Sequence, residues 1–211
     1  MSKSLYSLIL SDKVVAAVDS EAAKRGMNRS SLINEVLADY LQIETPEQQM
    51  RSIFKNIDKL IGGYFEALLP SNSRSMALKT SLDYKYKPTV KYELELSKTP
   101  ENDLGTLKVQ WRTTSEELTL KIDEFIKIWM AVESKYSKHV IGYVYEDNKF
   151  QRTFALPPGI EFSISYISNG VGKYIRLFDK ALKSYASGEL KSADDVERYY
   201  CDYVLSMEEF V

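Results

Sequence analysis

Hydrophobic positions along this chain follow three rhythms, and the changes of rhythm mark its elements. An apolar run from Leu5 to Leu10 reads as a short strand. Ser11 and Asp12 then open a helix in which Val14, Val15, Val18 and Ala22 recur at three- and four-residue steps, and Gly26 ends it. Asn28 caps a second helix with the stripe Leu32, Ile33, Val36, Leu37, Tyr40 and Leu41. Thr45, Pro46 and Gln48 have the spacing of a capping box with proline at the first helical position. The helix they start carries Met50, Ile53, Phe54, Ile57, Leu60 and Ile61 on one face. Its pattern runs to about Ala67, across a locally weakening Gly62-Gly63. It reads as a connector between domains, or alternatively as a short coiled-coil seam.

Pro70 to Ser73 read as a turn, and beyond them the period becomes two. Met76, Leu78, Thr80, Leu82, Tyr84 and Tyr86 alternate with polar residues, as do Val90, Tyr92, Leu94 and Leu96, then Leu107, Val109 and Trp111. Three such strands predict an antiparallel meander with one buried and one wet face. Thr114 to Glu117 start a long helix whose apolar side, Leu118, Ile122, Phe125, Ile126, Trp129 and Val132, is the natural cover for that buried face. Val140 to Tyr145 read as a strand, Asn148 as a turn, and Lys149 to Leu156 as the hairpin partner. From Ile160 to Tyr174 the apolar positions fit both a strand and a helix, with Gly170 and Gly172 arguing for a break. Tyr174, Ile175, Phe178 and Leu182 belong to a helix. Ser192 opens a last helix with Asp194 and Asp195 in its first turn, where the dipole favours acids, followed by Val196, Tyr199, Tyr200, Tyr203 and Leu205.

A unit of about 40 residues with one strand and two helices cannot bury its own apolar faces and needs a second copy. Leu10-Ser11-Asp12 at the strand-to-helix turn, Gly26 between the helices and then Asn28-Arg29-Ser30-Ser31-Leu32-Ile33 resemble the ribbon-helix-helix family of DNA-binding proteins. That group includes the Arc and MetJ repressors and the nickel-responsive regulators. The resemblance covers roughly the first fifth of the chain. It implies an intertwined dimer whose strands pair antiparallel and enter the major groove. It places Tyr6, Leu8 and Leu10 inward, and Lys3, Leu5, Ser7 and Ile9 outward toward base edges. Leu5 and Ile9 depart from the family's usual polar or basic pattern: they suit thymine methyls but cannot make bidentate bonds to G or A. Asn28, Arg29 and Ser30, at the second helix's start, are the expected phosphate contacts.

Each assignment has a plainer counterpart. An Asn cap followed by Arg-Ser is common at ordinary helix starts, and Leu5 and Ile9 are also suited to being covered by the second domain, which would leave a dimerisation module that does not read DNA. Residues 1–31 carry Lys3, Lys13, Lys24, Arg25 and Arg29 against Asp12, Asp19 and Glu21, a net of +2. Doubled in a dimer this is a modest footprint, so DNA binding is expected to weaken with salt.

The 211 residues carry net charge −2 and 44% hydrophobic residues, a composition that fits one small and one medium domain. No run approaches the ~18 apolar residues needed to cross a bilayer. The N-terminus lacks the pattern of a secretory signal. Cys201 is the only cysteine, which excludes an internal disulfide and suits a reducing cytoplasm. His139 is the only histidine, so the nickel or zinc site of the family's metal-responsive members is not expected, and neither is any cofactor. Gly170-Val171-Gly172-Lys173 lacks Walker spacing and its Ser/Thr. Glu93 and Glu95, with Lys91 in the same row, read as a solvated strand face, and Lys79, Lys85, Lys87 and Lys91 as a solvated or DNA-backbone-facing basic set.

The expected fold is α+β: a ribbon-helix-helix domain over 1–44, a connecting helix over 45–69 and an α+β regulatory or interaction domain over 70–211. The expected function is that of a non-enzymatic transcriptional repressor, a dimer or tetramer on double-stranded DNA. Its second domain would respond to an effector or protein partner of a chemistry the sequence does not announce. The alternative is an assembly module, antitoxin-like or serving plasmid maintenance, that uses the first domain only to dimerise.

Overall fold

The computed structural model describes residues 5, 7–69, 74–97, 103–137, 141–156, 159 and 163–204. The chain is α+β and divides into two compact units, Met1–Gln49 and Met50–Val211. The division falls inside a helix, Pro46–Ile61.

The first unit contains α1 (Asp12–Lys24) and α2 (Arg29–Tyr40). Gly26, at φ +62°, closes α1 as a Schellman turn, with Met27 N donating to the Ala22 carbonyl at 3.0 Å and Gly26 N to that of Ala23 at 3.2 Å. Gln42, at φ 56°, closes α2 the same way, with Ile43 N donating to the Ala38 carbonyl at 2.8 Å. The Thr45 capping box is reciprocal: Thr45 N donates to Gln48 Oε1 at 2.7 Å and Gln48 N to Thr45 Oγ1 at 3.2 Å.

In the second unit, α3 (Pro46–Ile61, continuing from the first) buries Met50, Ile53, Ile57 and Ile61 in the main core, so its body is packed rather than a free connector. It stops at Ile61, before the two glycines, and not near Ala67. Residues 66–68 instead form an edge strand, β1 (Glu66–Leu68), that the sequence pattern did not predict. Then come β2 (Ser75–Ser81), β3 (Thr89–Leu96) and β4 (Gly105–Arg112), then α4 (Glu116–Tyr136). The hairpin β5 (Tyr143–Glu146) and β6 (Lys149–Phe154) and the helices α5 (Ile164–Ser187) and α6 (Ala193–Val204) follow. The six strands form one antiparallel sheet in the order β1-β2-β3-β4-β6-β5. The predicted meander is β2-β3-β4. β2 ends at Ser81 because the backbone turns at Tyr86 and Lys87, both at positive φ. The apolar residues named for α4 are all buried.

One sheet face is apolar. Leu78, Tyr92, Val109 and Phe150 follow one another in register across four strands, all buried. Phe178 of α5 sits at the centre of the rings above them, 5.2 Å from both Trp129 and Phe150 and 5.6 Å from Phe125, centroid to centroid. α5 runs unbroken through Gly170 and Gly172, contrary to the expected break. Gly172 faces α3, where a Cβ would meet Leu60 Cδ1 at 3.4 Å, an ordinary van der Waals contact. Its buried mid-helix place also removes any phosphate-loop reading of residues 170–173. Pro70–Ser73, His139, Val140, Ile160, Phe162 and Leu205 lie outside the described residues.

Two glycines should respond oppositely to alanine in urea unfolding. Gly105 has φ +147° and a Cβ there would stand 2.2 Å from the Glu95 carbonyl oxygen, so Gly105→Ala should cost at least ~2 kcal/mol. Gly172→Ala gains helix propensity against a contact at van der Waals distance and should stay within about 1 kcal/mol of the parent.

Candidate nucleic-acid interface

The α1–α2 turn brings together the residues expected at a DNA backbone. Asn28 caps α2 with its Oδ1 accepting from Ser31 N at 2.9 Å. Arg29, the first residue of α2, reaches back to α1 and grips Asp19 with two bonds, Nε to Oδ1 at 2.6 Å and Nη2 to Oδ2 at 2.5 Å. The pair is about half exposed. Arg29's hydrogen bond and charge hold the Asp19 carboxyl below the usual carboxylate range, and Asp19 raises Arg29 in return. Ser30 is exposed beside them. Arg25, at the end of α1, is likewise bonded to Glu21 at 2.7 Å, so both guanidiniums of the turn are already matched by an anion. The sequence reading missed Asp19, although it stands ten residues before Arg29 on the neighbouring helix.

Among the described residues before α1, 5 and 7–11, none forms a strand. A strand needs a neighbour's backbone groups to pair with. Leu5 and Ile9 are fully exposed at 99% and 103%, and Ser7 is exposed. Leu8 and Leu10, expected inward, are exposed at 60% and 38%. Lys3 and Tyr6 lie outside the described residues. Further along, Val14, Val36, Leu37, Tyr40, Leu41 and Ile43 are exposed as well. Only Ala22, Leu32 and Ala38 are buried among the described apolar residues of α1 and α2.

Of the basic set, Lys79 and Lys91 stand opposite one another on β2 and β3. Lys79 lies 3.4 Å from Glu66 and Lys91 3.7 Å from Glu93, while Lys85 and Lys87 sit beyond the end of β2. Glu93 and Glu95 do stand on a mixed-charge outer face, Glu95 being 3.8 Å from Lys108. A shallow depression of about 390 Å³ opens at its rim, lined by Arg74, Glu95, Ser97, Asp103 and Thr106 among others.

Beneath the other face lies a polar cluster that sequence reasoning overlooked. Arg152 of β6 points inward with Phe150 and Phe154, and its Nε donates to Glu133 Oε1 of α4 at 2.9 Å. Both side chains are essentially sealed from solvent. Tyr143 and Tyr174 donate to the other carboxylate oxygen at 2.9 and 3.1 Å, and Trp129 Nε1 donates to Tyr174 OH at 3.1 Å. The guanidinium is sandwiched 4.3 Å from the rings of both Phe154 and Tyr174. Burial works against the Arg152 cation, and the carboxylate beside it more than compensates. Burial, then Glu133's charge, pushes the Tyr143 and Tyr174 phenols up. The signal was present in the sequence: position 152 falls in the apolar alternation of β6, and position 133 beside Val132 on the α4 stripe. A second inward group joins Tyr92 OH to Asp179 Oδ1 at 2.9 Å and Lys183 Nζ to Asp179 Oδ2 at 2.6 Å. These bonds tie elements together.

Among the described residues no group of three or more His, Cys, Asp or Glu is placed to hold a metal ion. No described helix is long and apolar enough to cross a membrane. Comparison with protein-family models, with curated proteins and with solved structures found no match to this chain.

Breaking the buried pair with Glu133→Gln leaves an uncompensated cation and should cost ~3–5 kcal/mol in urea unfolding, part of which Glu133→Gln with Arg152→Met should restore. Alkaline unfolding follows from the phenols. Tyr92, Tyr143, Tyr174 and Tyr200 are held above their ordinary value of 10.0 in the folded chain, mainly by burial. The unfolded chain therefore releases their protons first. Their contribution to stability is intact below pH ~10 and is lost as pH rises beyond it. Tyrosinate absorbance and far-ultraviolet circular dichroism should then change together in one step.

Proposed function

We propose that this chain is a sequence-specific DNA-binding regulator, a repressor that acts as a dimer. In this reading, segments 5–10 of two copies pair into a ribbon in the major groove and the Asn28–Ser30 turns flank it on phosphates. One observation carries the reading: the first unit exposes Leu5, Leu8, Ile9, Val14, Val36, Leu37, Tyr40 and Leu41, and none of its described residues forms a strand. A single copy leaves that surface wet at ~25 cal/mol for each Å². A second copy supplies both the missing strand and the cover, and the Leu10–Ile33 motif gives the ribbon-helix-helix arrangement as the way to do so. The second unit modulates binding.

Full exposure of Leu5 and Ile9 supports a second reading, in which the paired strands meet another protein and the unit serves only assembly. Direct base readout through two aliphatic positions and Ser7 is sparse.

Asp19 and phosphate compete for the same guanidinium, which makes the turn testable in both directions. Light scattering should give a dimer. In a fluorescence titration with duplex from the chain's own promoter region, Arg29→Ala should weaken binding at least ~tenfold. Asp19→Asn, which releases Arg29, should tighten it. A monomer, or binding that ignores both DNA sequence and these two substitutions, would overturn the regulator reading.

A further inference from the structure

The turn between β2 and β3 keeps side chains that its backbone does not favour. Its ends are fixed: Leu82 and Pro88 are buried, and Leu82 N donates to the Pro88 carbonyl at 2.9 Å. Within it Lys87 N donates to the Tyr84 carbonyl at 2.8 Å, closing a tight turn over residues 84–87. Tyr86 holds the third position of that turn at φ 65°, and Lys87 follows at φ 45°. A turn with positive φ at its third position ordinarily places glycine or asparagine there, and a bulky residue in that conformation is strained. Strain held by fixed ends is typical of places where the side chains themselves are used.

Those side chains make a cationic aromatic tip. Tyr86 is 88% exposed, and the Lys85 ammonium lies over its ring, 5.2 Å from the centre, which leaves the opposite ring face to solvent. Lys87 is exposed beside it. Arg112, exposed at the end of β4, is the register partner of Thr89, two residues on from Lys87. Against these three cations the turn sets one carboxylate, Asp83, for a net of +2. The base of the turn rests on α4, where Lys121 lies 5.8 Å from the centre of the half-buried Tyr84 ring and is itself matched by Glu117 at 3.1 Å.

The partner has to use both the cations and the ring. A duplex offers phosphates, but its bases are already stacked on one another and leave a protruding ring nothing to stack on. An acidic peptide offers charge without a π surface. A lipid surface rewards inserted aliphatic or tryptophan side chains, and residues 83–87 contain none. A single strand presents unstacked bases and phosphates side by side, the pair of features that ring-and-lysine surfaces hold.

We propose that the turn formed by Lys85, Tyr86 and Lys87, with Arg112 beside it, binds single-stranded nucleic acid, a base stacking on the open face of Tyr86 and the flanking phosphates meeting the cations. This goes beyond the regulator reading and does not depend on it.

The test is a fluorescence titration of the full chain with labelled oligothymidylate and oligouridylate of about 12 residues, alongside a duplex of the same length. The tighter of the two single strands identifies the natural class as DNA or RNA. Tyr86→Gly removes the ring and suits the positive φ, so it should weaken single-strand binding at least ~fivefold while its urea midpoint stays at or above the parent's. Tyr86→Trp should keep the parental affinity. Lys85→Gln with Lys87→Gln should flatten the slope of log affinity against log salt by about 1.4, which shrinks the parent's advantage about sevenfold between 50 and 200 mM salt. A parent chain that binds neither single strand, or variants that bind like the parent, would end the proposal. Equal losses on duplex and single strand would show that the turn touches only backbone, and the stacking claim fails. Should Tyr86→Gly lose binding to phosphatidylserine vesicles while its oligonucleotide binding is unchanged, the turn meets a membrane and the proposal is overturned.

Discussion

Apolar surface has to be withdrawn from water, and the two units of this chain meet that constraint by different means. In the second unit one sheet face and four helices close over rings centred on Phe178, and the residues that alternate inward on β3, β4 and β6 are sealed. In the first unit two short helices bury three apolar side chains between them and leave a larger number in solvent. Hydrophobic stabilisation grows with the area removed from water, so the first unit's fold is the less self-sufficient of the two. Both the assembly and the DNA-binding readings start from that shortfall. They differ only in what the paired segments face.

The cluster under the sheet shows a further consequence of close packing. A charge sealed at Arg152 is tolerable only with a carboxylate at bonding distance and the remaining carboxylate oxygen satisfied, and Glu133, Tyr143 and Tyr174 provide this. Those residues come from α4, β5, β6 and α5. A shift of β6 by one residue would carry Arg152 to the outer face and expose Phe150 and Phe154. The ion pair therefore discriminates between registers more sharply than methyl groups in the same places would.

Elements whose causes are local were legible in the residues. The capping boxes at Thr45 and Ser192, the apolar stripe of α4 and the alternation along β3 and β4 all specify themselves within a dozen positions. Elements whose causes are distant were not. β1 consists of Glu66, Ala67 and Leu68 and exists because β2 offers an edge. α5 keeps two glycines inside a helix because its long buried face packs into the core on both sides of them. The continued alternation past Ser81 suggested a longer β2, and the backbone at Tyr86 and Lys87 prevented it. At the candidate interface, the cap at Asn28 was readable, whereas the Asp19–Arg29 pair depends on how α1 and α2 cross. The proposed ribbon is the extreme case, since its pairing partner would come from a second copy.

The Asp19–Arg29 pair also bears on how tightly such a turn can hold DNA. An exposed ion pair contributes little to folding, because water and salt screen it and two long side chains must be ordered to make it. Its effect on binding is of another kind. A phosphate that takes Arg29 must first displace a carboxylate that already satisfies the same donors, so the gain is the difference between two similar charge-assisted contacts. A turn built in this way favours a phosphate presented at the right place over one met at random, since only good geometry outcompetes the internal partner.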